Sequence, residues 1–167
     1  MDVFFDTWLK DDLRSKFIYY GWANDDQDAL ADMIKNPHGL IGTDTGAHLD
    51  RFFWHGSPVR VLSHWSRDKG LFGLEEAVQK LTSHPAEKLG LKRGRLEQGW
   101  PADITVFDPD KLEDLVSNRL PAKVDDDEVQ RHPPGMHAVV VNGKTVVLEG
   151  QCLDVFPGKV GRQDLSR

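Results

Sequence analysis

The segment Ala138-Val139-Val140-Val141-Asn142-Gly143-Lys144-Thr145-Val146-Val147-Leu148 constrains the fold of this chain more than any other. Two apolar, β-branched runs separated by Asn-Gly predict antiparallel strands joined by a type I′ turn, because both central residues of that turn need positive φ. The sequence before it has the same character from Gly94 onward. Gly94-Arg95-Leu96 and Gly99-Trp100-Pro101 are turn signals, and they lead into the strand-like run Ala102-Asp103-Ile104-Thr105-Val106-Phe107-Asp108. A small β-rich unit is therefore expected over residues 93–167. Between its strands, residues 109–136 are acidic and contain Pro133-Pro134-Gly135, which predicts a long, mobile surface loop.

The first 92 residues read differently. Residues 2–20 predict an aromatic-rich helical segment (Val3, Phe4, Phe5, Trp8, Leu9, Leu13, Phe17). A second helix is expected with Asn24 as N-cap, Gln27 at the third position, and Leu30, Met33 and Ile34 as its apolar stripe. Asn36-Pro37-His38-Gly39 stops it. Leu40-Ile41-Gly42-Thr43 then predicts a short buried parallel strand that ends directly in Asp44. Residues 50–63 read as a long loop. Residues 74–83 predict a further helix with Glu75 and Glu76 in its first turn and Ala77, Val78 and Leu81 facing inward. Pro85 ends or restarts it, and Gly90 closes the next turn. Helix, short loop, buried strand and a carboxylate at the strand's C-terminal end is the order of an α/β protein, where polar side chains at that end tend to be catalytic.

Composition narrows the function classes. With 39% hydrophobic and 29% charged residues the chain is globular rather than disordered. Its net charge of −6 argues against nonspecific nucleic-acid binding. No apolar run reaches about 18 residues, so no membrane-spanning helix is expected. Met1-Asp2-Val3-Phe4 has no basic region followed by an apolar core, so neither is a signal peptide. Cys152, the single cysteine, can form no intramolecular disulfide and is expected as a small half-buried hydrophobe. These features set a cytoplasmic location as the expectation. At 167 residues the chain is also too short for a complete (β/α)₈ barrel, which needs about 250.

Asp44 is the leading chemical candidate, since it combines a strand-end position with the turn Thr45-Gly46-Ala47-His48. A carboxylate there either ligates a divalent metal and takes a proton from water, or closes an Asx turn or caps a helix. His48 is a ligand, a substrate contact or a structural histidine. Arg67 and Asp68 read as a solvated local ion pair, and Asp125 to Glu128 as a solvated loop. The sequence holds no His-x-His, no His-Glu-x-x-His, no Gly-x-Ser-x-Gly and no phosphate-binding glycine loop. From its residues alone the chain offers one ligand cluster and no complete active site.

The run Ile41-Gly42-Thr43-Asp44-Thr45-Gly46-Ala47-His48-Leu49-Asp50 resembles the Gly-Ser-Asp-Gly/Ala-Gly-Ala-His segment of the N-acyl-D-amino-acid deacylases, within the amidohydrolase superfamily of metal-dependent barrels. The resemblance continues through Leu62-Ser63-His64-Trp65-Ser66-Arg67-Asp68, residues 74–82, Pro85-Ala86, and residues 94–108. It reaches Asn142-Gly143, Val146-Val147 and Pro157-Gly158-Lys159-Val160. Thr43 and Thr45 depart mildly from the family, where Ser and a small residue are commoner.

The resemblance implies an α/β fold: the C-terminal part of a (β/α)₈ amidohydrolase barrel over residues 1–92, then part of a small β-sandwich over residues 93–167. It implies hydrolysis of the amide of a small-molecule N-acyl amino acid by metal-activated water. In the complete enzyme the metal would be zinc. Asp44 would be both a metal contact and the proton acceptor, and His48 a substrate-side residue. The family's His-x-His pair and its mid-barrel histidines have no counterpart in this chain, so the isolated chain is expected to be inactive. Two other readings stand beside this one. The first is a non-catalytic module that needs a partner chain, or associates with itself through exposed barrel edges. The second is another amidohydrolase, of dihydroorotase or hydantoinase type.

Overall fold

The computed structural model of the protein describes residues 2–12, 26–43, 57–113 and 133–161. Two compact units are formed, Met1–Met33 and Ile34–Arg167. In the first, helix α1 (Asp2–Lys10) forms the beginning of the expected 2–20 segment, whose residues from Leu13 onward lie outside the described residues. Asp12 ends it in the left-handed region at φ +51°, with its N–H on the Leu9 carbonyl. Helix α2 (Gln27–Lys35) is capped by Asp26, whose Oδ1 accepts the N–H groups of Asp28 and Ala29 at 3.1 and 3.0 Å. The cap is thus two residues later than the expected Asn24, which lies outside the described residues. Asp at this position brings an acceptor and a negative charge to the positive helix end.

In the second unit the Asn36-Pro37-His38-Gly39 stop takes the expected form, with Asn36 Oδ1 accepting the His38 N–H at 2.9 Å. Residues 40–43 are not a strand, and Leu40 is 49% exposed. A strand exists by its ladder, and among the described residues none pairs with this run.

Of the loop expected over residues 50–63, the part from Ser57 onward is helical instead, and residues 50–56 lie outside the described residues. Helix α3 (Ser57–Arg60) begins with Ser-Pro, a helix-start signature. It continues directly into a π-helical segment, Val61–Asp68. Bonds such as Lys69 N–H to the His64 carbonyl (2.9 Å) skip one residue more than an α-turn. Two serines are built into this segment. Ser63 donates to the Val59 carbonyl at 2.9 Å, and Ser66 donates to the Phe72 carbonyl at 3.1 Å. Their hydroxyls are satisfied, which is what lets them sit in the core.

Helix α4 (Leu74–Leu81) packs against the π segment and follows the expected pattern, with Ala77 fully buried. The chain restarts at α5 (Ser83–Lys88), with Pro85 in its first turn. Gly90 (φ +66°) closes α5 as a Schellman cap: Leu91 N–H bonds the Ala86 carbonyl, and Gly90 N–H the Glu87 carbonyl. Among the described residues, Val61, Trp65, Phe72, Ala77, Ala86 and Leu112 are the buried apolar side chains, so the described core of the second unit lies around α3, the π segment, α4 and α5.

The β-rich region is an antiparallel meander in the order β1 (Ile104–Phe107), β2 (Met136–Val141), β3 (Lys144–Leu148), β4 (Gln151–Cys152). Asn142 (φ +48°) and Gly143 (φ +78°) make the expected β2–β3 turn. Glu149 (φ +45°) and Gly150 (φ +75°) make a second tight turn, into β4, that the sequence reading did not anticipate. Cys152 is exposed rather than half-buried, because β4 is a two-residue edge strand.

Candidate active-site region

Asp44 and His48 both fall outside the described residues, as do His55, His132 and the acidic run Asp125 to Glu128. What the structure describes is the frame on either side of Asp44. Upstream are the Asn36–Gly39 turn and residues 40–43. Downstream are α3 and the π segment, which begin at Ser57.

The π segment carries the ion pair read from the sequence. Arg67 Nε donates to Asp68 Oδ1 at 2.7 Å. It is more than a solvated local pair, however. Arg67 Nη1 also donates to the Pro109 carbonyl at 3.0 Å and to the Leu112 carbonyl at 2.7 Å. The hydrogen bond to Asp68 raises the Arg67 pKa above its usual value, and the same bond lowers that of Asp68. Desolvation opposes both shifts and does not overcome them. The turn gripped by Arg67 starts at Asp108, whose Oδ1 accepts the Asp110 N–H at 3.0 Å. A hydrogen bond from Lys111 lowers the Asp108 pKa. Residues 109–113, expected as open loop, are thus an ordered turn with Leu112 wholly buried.

Gly135 closes that turn from the other side. Its carbonyl accepts the Asp108 N–H at 2.8 Å, and a Cβ at Gly135 would sit 2.6 Å from Leu112 N. Only glycine fits there, at φ +82°.

A second polar hub lies at the β2–β3 turn. Asp103 binds Arg93 through one oxygen and accepts the Asn142 N–H at 2.8 Å through the other. The Asn142 side chain accepts from Arg93 at 3.1 Å and donates to the Pro157 carbonyl at 2.8 Å. Spacing signalled the turn, but nothing in the sequence signalled that its asparagine also holds Arg93 and the chain at Pro157.

Among the described residues, no three His, Cys, Asp or Glu side chains are grouped so as to hold a metal ion. His64 stacks edge-on against Trp65 at 5.0 Å, and His137 faces Glu149 at 3.3 Å. The described residues therefore do not by themselves fit a zinc centre. A cleft of about 690 Å³ lies between Glu87, Lys92, Arg95 and Trp100. Arg95 there is paired with Glu87, which raises its pKa. No helix among the described residues is long and apolar enough to cross a membrane.

The sequence matches the model of the amidohydrolase family over residues 12–146, most of the chain. The chain belongs to the amidohydrolase family. This amidohydrolase chain is 38% identical over 125 residues to a D-aminoacylase from Alcaligenes xylosoxydans xylosoxydans, covering 72% of the chain and 24% of that protein. An N-acyl-D-glutamate deacylase from the same organism is 32% identical over 145 residues, covering 84% and 28%. A dihydroorotase from Halalkalibacterium halodurans is 37% identical over 76 residues, covering 46% and 15%. Among solved structures, the chain superposes on a crystal structure of D-aminoacylase with a TM-score of 0.71 at 32% identity, covering 83% of the chain and 28% of that structure. It also superposes on an N-acyl-D-glutamate deacylase from Bordetella bronchiseptica, solved with zinc and a phosphonate mimic of the tetrahedral intermediate. The TM-score there is 0.60 at 32% identity, covering 72% and 24%. The amidohydrolase chain thus spans about a quarter of the length of the relatives it matches.

Proposed function

We propose that this chain is the C-terminal portion of a metal-dependent hydrolase that cleaves the amide bond of N-acyl-D-amino acids. The observation that carries this reading is the likeness to D-aminoacylase, which extends over 83% of the chain in structure at a TM-score of 0.71. The dihydroorotase from H. halodurans matches only 46% of the chain, which favours the deacylase over the dihydroorotase reading.

In this reading residues 1–92 belong to the barrel and residues 93–167 to a small β-sandwich, of which the four-stranded meander is one sheet. Asp44 is the proton acceptor for the attacking water and returns the proton to the leaving amine. His48 contacts the substrate. The metal proposed is zinc, on the likeness to the N-acyl-D-glutamate deacylase solved with zinc, and when bound it would supply Lewis-acid polarisation of the amide carbonyl. Asp44 would be one of its ligands. The remaining ligands come from outside the described residues, and the isolated chain is inactive without them.

The test is a chimera in which residues 12–146 replace the matching stretch of the Alcaligenes D-aminoacylase. The expected result is zinc-dependent hydrolysis of N-acetyl-D-methionine with little turnover of the L-enantiomer, and none by the 167-residue chain alone. A folded, zinc-loaded chimera that hydrolyses dihydroorotate instead would overturn the substrate assignment. Stoichiometric zinc and turnover by the isolated chain would overturn the claim that it is incomplete.

A further inference from the structure

We draw no further inference here: the strongest candidate, the apolar stripe that exposed Val106 and Leu148 form with half-buried Ala138 in cross-strand register across one face of the sheet, is unpartnered among the described residues, and nothing in the structure shows what covers it.

Discussion

Arg67 Nη1 donates to the carbonyl of Leu112 at 2.7 Å, joining residues 45 apart in sequence. The bond ties the helix that follows the Asp44 segment to the turn that follows β1. It rests on both ends: Leu112 is fully buried, and Arg67 is held in line by Asp68. A guanidinium suits this role because its several N–H groups diverge in a fixed plane, so that Asp68 and two carbonyls are reached at once.

Replacing Arg67 should therefore cost more than loss of a surface ion pair. Arg67→Ala removes two charge-assisted bonds to backbone carbonyls and is expected to lower stability by about 1–2 kcal/mol, allowing for partial exposure. Arg67→Lys should recover less than half of this, since an ammonium cannot reproduce the planar fork. Urea denaturation of the three proteins checks it. Equal midpoints for wild type and Arg67→Ala would mean that the long-range bonds are energetically silent.

Asp68 gives the same clamp a pH dependence. Its folded pKa lies below the ordinary carboxylate value because Arg67 is bonded to its ionised form. The contribution is therefore present above the unfolded pKa of about 4 and is lost as pH falls through the lower folded value. Denaturation midpoints measured from pH 6 to pH 3 should fall less steeply for Asp68→Asn than for wild type. Parallel curves would contradict the assignment.

Two glycines with the same φ separate close approach from backbone strain. Gly94 and Gly143 both sit near φ +80°, but a Cβ at Gly94 would lie 2.7 Å from the Thr82 carbonyl, whereas Gly143 has open space. Gly143→Ala should cost about 1 kcal/mol, for the left-handed backbone alone. Gly94→Ala should cost about 3 kcal/mol, since strain and a backbone clash add. Thermal unfolding of both variants compares them, and similar losses would show that the Thr82 contact relaxes freely.

Asn142 separates a turn residue from a hub residue. Asn142→Gly keeps a residue suited to the type I′ turn. It deletes the bonds to Arg93 and Pro157. Stability should fall by about 1–2 kcal/mol, and amide exchange around Pro157 should quicken while the β2–β3 ladder stays protected. Loss of protection in the ladder itself would show that the side chain is needed for the turn.

What the sequence made legible was local. The Asn142-Gly143 turn, the Asn36–Gly39 stop and the inward face of α4 each depend on a few neighbouring residues, and each formed as expected. The Ser57-Pro58 helix start was equally local, yet it stood inside the run read as a loop over residues 50–63. The strand over residues 40–43 failed for the opposite reason, because a parallel strand needs partners distant in sequence. Arg67 failed likewise: its adjacent partner Asp68 was visible, and the carbonyls of Pro109 and Leu112 were not. Asp44 and His48 were singled out by motif and position alone, and they rest on the family likeness rather than on described geometry.

The measurement that bears most directly on the function is the turnover of N-acetyl-D-methionine by the zinc-loaded chimera with and without Asp44→Asn. If Asp44 is the proton acceptor, kcat should fall by about 10²–10⁴-fold, while the D-over-L preference survives and the circular dichroism spectrum is unchanged. A folded, zinc-containing Asp44→Asn chimera that keeps its kcat would contradict the account.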